Sequence, residues 1–172
     1  MISFRPVTME DLPLLSDWMV RPHWREWWGD PTEELGYVRE MLTGQDTTRP
    51  YFFQIDGIET GYIQVWFIKD QKNTEWVEDY PWLELLPDEA VGVDLSIASA
   101  ADLSKGIGTR VLSAFVEKLR REGYDRIIID PDPANLRAVN AYRKAGFREI
   151  EDLLGRTDDC LLMEHNNEEG VS

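Results

Sequence analysis

Cysteine is almost missing from this chain. A single thiol, Cys160, among 172 residues excludes an internal disulfide framework and fits a reducing cytoplasm. It is expected to be a buried small hydrophobe. Histidine is nearly as scarce. His23 and His165 are the only two, each beside a loop or terminal stretch, which argues against a histidine-based triad and against a zinc site; no metal is expected. Long apolar runs are absent too, and nothing approaches the roughly 20 residues that a membrane-crossing helix needs. The opening Met-Ile-Ser-Phe-Arg-Pro lacks the basic and apolar blocks of a secretory signal, so a cytoplasmic protein is expected. Basic charge is outnumbered: 18 Lys and Arg face 33 Asp and Glu, a net charge of −15. Such a field repels nucleic acid and anionic membranes and draws in cations. Any anionic ligand must therefore be held by local groups.

What remains is ordinary for a globular protein: 42% apolar and 30% charged residues. One domain is expected over residues 1–165, with a frayed tail at 166–172. Residues 2–5 alternate as a short strand. Thr8, with Asp11 three residues on, caps a helix over 9–19. Residues 23–30, with Trp24, Trp27 and Trp28, read as a loop, and Thr32 caps a second helix over 33–42. Asp56-Gly57 joins strands at 51–56 and 59–68 into a hairpin. A long aromatic loop, 69–88, holds Trp76, Asp79, Tyr80 and Trp82; loops of this length commonly bind ligands. A strand at 90–98 leads to a helix over 107–122. An apolar strand follows at 126–130, then a helix over 135–144, and strands at 147–150 and 160–164. The expected class is α/β (α+β): a mixed twisted sheet of about seven strands with helices on both faces.

Two features carry chemistry without further help. Ser104-Lys105-Gly106-Ile107-Gly108-Thr109 opens the long helix, and a glycine turn there leaves unpaired N–H groups and partial positive charge in one place. That suits a phosphate. No Gly-Lys-Ser/Thr spacing follows, so the turn is not a Walker A loop. Asp94, in turn, interrupts an apolar strand, where a charge needs a partner or a function. Asp130 ends the next strand, at the edge where open α/β sheets bind ligands. Asn135 suits a helix cap. Tyr142 shares a stripe with Leu136 and Val139, and spacing alone reads it as core.

The element order, the Lys105-Gly106-Ile107-Gly108 turn and the segment from Asn135 through Ala138 and Tyr142 to Gly146-Phe147 resemble the GNAT superfamily of N-acetyltransferases. Glu26-Trp27-Trp28-Gly29, Gly61-Tyr62-Ile63-Gln64, Gly92-Val93-Asp94 and Asp130-Pro131 are similar to segments of the aminoglycoside 6′-N-acetyltransferases. Two positions depart from those patterns. Leu103 stands where the superfamily has Gln or Arg, and Leu95 follows the strand aspartate where Gln is frequent. The first removes a side-chain donor to the pyrophosphate; the second bears on the range of acceptors.

The resemblance implies acetyl-CoA as co-substrate and direct transfer to the 6′-amine of a cationic aminosugar. Other acceptors remain open: a polyamine, a siderophore precursor, or none at all in a non-catalytic acyl-CoA-binding domain. Monomer and homodimer are both open. By resemblance, backbone N–H groups within Asp94–Ile97, at Leu95 or Ser96, meet the thioester carbonyl beside a strand bulge. Leu103 to Thr109 hold the pyrophosphate, Asn135 and Ala138 the pantetheine, and Tyr142 protonates the leaving thiolate. Asp79, Asp94 and Asp130 face the acceptor, with Asp94 or Asp79 as its base. Trp27, Trp28, Gln64, Trp66, Trp76 and Trp82 wall its site.

Overall fold

The computed structural model describes residues 1–166; all of the tail expected at 166–172 except its first residue lies outside the described residues. The chain begins with β1 (Ile2–Pro6). Asp11 then accepts from the Thr8 N–H and hydroxyl, and the chain tightens through a 3-10 turn into α1 (Leu12–Met19). The tryptophan-rich stretch is helical: α2 runs Pro22–Trp28. Pro22 presets the first turn, and Trp24 is fully buried, so tertiary packing overrides an unclear local pattern. In α3 (Pro31–Leu42) the cap is Asp30 rather than Thr32; its side chain accepts from the Thr32 and Glu33 N–H groups.

The hairpin β2 (Arg49–Ile55) and β3 (Ile58–Phe67) turns at Asp56-Gly57, both at positive φ. The long loop carries short helices: α4 (Ile68–Gln71), α5 (Trp76–Asp79) and a 3-10 segment at Pro81–Leu85. They were illegible because each is too short to show a period. Then come β4 (Val91–Ile97), α6 (Ile107–Arg121), β5 (Ile127–Ile129), α7 (Leu136–Lys144), β6 (Phe147–Glu149) and β7 (Met163–His165). Cys160 lies in the turn before β7, half-buried, not in a strand.

The seven strands form one sheet in the order β1-β2-β3-β4-β5-β7-β6. Only β4 and β5 run parallel, and their pairing covers just Val91↔Ile127 and Gly92↔Ile128. Beyond Gly92 the two strands diverge. The expected bulge is not in β4, whose register with β3 is unbroken from Phe67↔Val91 to Gly61↔Ile97. The opening comes from splaying alone. Ala98 donates to Thr60 on the β3 side and Val91 to Arg126 on the β5 side. By antiparallel alternation the N–H groups of Leu95 and Ile97 therefore face the opening, and that of Ser96 does not.

Side-chain alternation sorts the core. One face packs Phe53, Ile63, Val65 and Val93 under Val111, Leu112 and Phe115 of α6. The other carries two separate clusters. Phe52 and Tyr62 pack under α1 and α3, while Trp66, Ile128 and Leu162 pack under Trp82 and Leu83. The gap between those clusters is where Gln64 and Asp94 emerge, directly opposite each other on β3 and β4. No helix among the described residues is long and apolar enough to cross a membrane.

Candidate active site

Two clefts meet where β4 parts from β5. The first, of about 370 Å³, is lined by the glycine turn and by one face of α7. Ser104 and Gly106 adopt positive φ, and no backbone acceptor among the described residues takes the N–H groups of residues 104–109; the first such bond is Arg110 to Gly106. Six consecutive donors thus stand at a helix start, a cradle that fits a diphosphate. Leu103, Ser104, Gly106, Ile107, Gly108 and Thr109 line it. Thr109 also spends its hydroxyl on the Ala141 carbonyl, which ties α6 to α7. Lys105 instead points to Asp102, 3.7 Å away on the surface, and does not line the cleft.

Across the cleft α7 presents Asn135, Ala138 and Tyr142, and also Arg137 and Lys144. Asn135 caps the helix by accepting from the Ala138 N–H. Arg137 and Lys144, seven residues apart on one face, give this acidic chain a local cationic wall. Their helical spacing was visible, but charge at those positions reads equally as a solvated face.

The second cleft, of about 210 Å³, lies in the gap between the two core clusters. Its lining carries four carboxyls, Glu34, Asp46, Asp94 and Asp130, and among the described residues no Lys, Arg or His. Gln64 donates to Asp94 at 2.9 Å while accepting from the buried Tyr62 hydroxyl at 2.7 Å. The Trp66 indole lines the same cleft as Asp94. Its ring packs against Gly92 of β4, which makes room for it: a Cβ there would sit 2.1 Å from the indole.

Asp130, one residue past β5, has the same parity as Ile128 and so faces the same side as Asp94. The two carboxyls line the same cleft. Burial raises both above the ordinary carboxylate value, and Asp94's charge pushes Asp130 further up. Burial likewise raises the Tyr142 phenol, with Asp94 and Asp130 adding to the effect, so it stays neutral.

Trp28, Trp66, Trp76 and Trp82 wall this second cleft, joined by Tyr37 and Tyr80; Tyr80 stacks on Trp76. Trp27 does not belong to it. That side chain lies on the first cleft and on the passage between the two, which also holds Leu95, Ala138 and Tyr142. Asp79 is exposed at the end of α5 and lies outside the lining.

Two contributions were missed in the sequence. His23 and Trp24 both donate to the Ile97 carbonyl, at 2.7 and 3.0 Å, and so clamp α2 over the open edge of β4. Ile97 therefore offers only its N–H to the opening. The other is Glu34. It begins an inward stripe of α3, with Tyr37, Val38 and Met41 at the following helical positions, and all four line the acidic cleft. Burial first, then Asp94 and Glu33, push its carboxyl up to about 7. A glutamate at the head of an aromatic and apolar stripe was the available signal.

A donor cradle rich in N–H groups, an acidic pocket and a neutral phenol where they meet define a group-transfer enzyme with an anionic donor and a cationic acceptor. Residues 7–153 match the acetyltransferase (GNAT) domain, and the chain belongs to that family of N-acetyltransferases. It is 34% identical over 154 residues to an aminoglycoside N(6′)-acetyltransferase type 1 of Klebsiella pneumoniae, covering 85% of this chain and 73% of that protein. The fold matches aminoglycoside acetyltransferase AAC(6′)-Ib solved with coenzyme A and kanamycin, with a TM-score of 0.80 and 31% identity over 98% of this chain and 96% of that one. The same enzyme solved with ribostamycin and coenzyme A gives 0.81 and 30%, over 99% and 98%.

Proposed function

We propose that this enzyme transfers acetyl from acetyl-CoA to a primary amine of an aminoglycoside, at the 6′ position. The observation that carries the acceptor side is the cleft with four carboxyls and no basic residue among its described lining, walled by aromatic rings. Carboxylates select ammonium groups, and indole and phenol faces suit the apolar faces of aminosugar rings and attract cations.

Acetyl-CoA supplies an activated acetyl thioester; the residues of the first cleft hold and orient it. The N–H groups of 104–109 take the pyrophosphate, and Arg137 and Lys144 add cationic contacts. Asn135 and Ala138 flank the pantetheine arm. The Leu95 N–H, left free by the splay, donates to the thioester oxygen as negative charge grows there. Asp94, fixed by Gln64, and Asp130 beside it draw the acceptor ammonium to the opening. Tyr142 donates to the departing sulfur as the C–S bond breaks and the C–N bond forms. Asp79, at the rim, is left to long-range attraction of the acceptor.

Thiol release from acetyl-CoA, measured across an amine panel, tests this reading. Aminoglycosides with a 6′-amine should be turned over and their 6′-hydroxyl counterparts should not. Equal, poor turnover of both beside rapid turnover of a polyamine would overturn the acceptor assignment.

A further inference from the structure

We propose that Glu34 is a catalytic residue of this enzyme, the base that takes the proton from the acceptor ammonium. The inference rests on the acceptor reading above and assigns one step of it.

Position comes first. Asp30 and Pro31 fix the start of α3, and Val38, on the same stripe as Glu34, is 2% exposed against the core. That anchor turns the glutamate toward the sheet. Glu34 is shared by the acidic cleft and by the passage that holds Leu95 and Tyr142. It therefore looks onto the junction where amine and thioester meet, from the side opposite β4. Asp94 is less free to act as a base. One of its oxygens already accepts from Gln64 at 2.9 Å and a second buried carboxyl, Asp130, shares its lining, so it is placed to hold the cation. Asp79 lies outside the cleft.

Its surroundings match the task. Among the described residues, the titratable groups that face Glu34 are Glu33 and Tyr37 on its own helix, Tyr62 from β3, Asp94 from β4, Asp46 and Tyr80 from loops, Asp130 and Asp132 after β5, and Tyr142 from α7. None is a cation. A carboxyl that ionises near 7 is deprotonated in part at working pH, yet basic enough to accept from an ammonium.

The protons balance. The Glu34 carboxylate takes one from the ammonium, leaving a neutral amine whose lone pair attacks the carbonyl carbon. The second N–H proton, lost as the C–N bond forms, offsets the one Tyr142 gives to sulfur. Glu34 then releases its proton to solvent.

The test is the pH profile of kcat/KM for an aminoglycoside that the wild type acetylates, with Glu34→Gln and Asp94→Asn beside it. Wild-type activity should rise through a limb near pH 7. Glu34→Gln should lose that limb and fall about 100-fold at pH 8, with KM for acetyl-CoA unchanged. Asp94→Asn should keep the limb but move it to lower pH, because a like charge beside Glu34 is gone. A limb retained in Glu34→Gln, or a change confined to acceptor KM, overturns the proposal. Should Glu34→Gln fail to fold, titration of the wild-type Glu34 carboxyl by NMR decides: a midpoint matching the rate limb supports the role, and one near 4.5 overturns it. If the wild type acetylates no aminoglycoside, the acceptor reading fails first, and the same profile run on the amine it does use still decides Glu34.

Discussion

At the scale of single residues, the site depends on a few side chains whose environments differ sharply. Tyr142 is a neutral phenol at the junction of the clefts, and its proposed role needs only its hydroxyl. Tyr142→Phe should lower kcat about 100-fold while KM for acetyl-CoA and the melting temperature barely move, read by steady-state kinetics and a thermal melt. Gly92 has the opposite character, contributing nothing but room. In Gly92→Ala the new methyl would meet the Trp66 indole, which must leave its place in the lining of the acidic cleft. A loss of about 1–3 kcal/mol in urea unfolding is expected, together with a raised acceptor KM. Neither residue is explained by its neighbours in the chain. Tyr142 reads as core by spacing, and Gly92 looks like any strand glycine until the ring above it is seen.

Elements carry the cofactor half. The start of α6 supplies backbone donors, and α7 supplies Arg137, Lys144 and its own cap. Asn135→Ala should cost about 1 kcal/mol of stability in chemical denaturation, because the Ala138 N–H loses its acceptor. Arg137→Ala combined with Lys144→Ala should raise KM for acetyl-CoA and flatten its dependence on salt, since two screened charges are gone. The glycine turn and both long helices were legible in the sequence because 3.6-residue periodicity and glycine punctuation are local signals. α2 and the short helices between β3 and β4 were not. Those segments owe their shape to rings buried against distant strands, as Trp24 is against the Ile97 carbonyl and Tyr62.

At the scale of the whole molecule, charge and pH are coupled to folding. Glu34, Asp94 and Asp130 all bind protons more tightly in the folded chain than in the unfolded one. Their contribution to stability is full at low pH and is lost as pH rises from about 4 through their raised values. Asp11, Glu59 and Glu149, paired with Arg5 and Arg143, have lowered values and act the other way, losing stability as pH falls below the usual carboxylate range. Between pH 8 and 6 His165, held below the usual imidazole range by burial and Arg120, costs stability on acidification; the raised carboxyls outweigh it, so the melting temperature should rise. Asp130→Asn should flatten that dependence and raise the melting temperature at pH 8 by a few degrees, at about 2–4 °C per kcal/mol, while weakening acceptor binding.

The sequence by itself determined the order of the seven strands and the longer helices, the phosphate turn, the acidic field and the chemical candidates at Asp94 and Asp130. Each of those is written in a local pattern or in composition. Only the tertiary structure decided which groups face one another. It placed Asp94 and Asp130 in one cleft across diverging strands, assigned the free N–H to Leu95, set Asp79 outside the cleft and moved Trp27 to the donor side. It also brought Glu34 into the junction. The physical reason is that charge coupling, burial and free donors depend on distances between residues remote in sequence, which strand register and helix packing fix together.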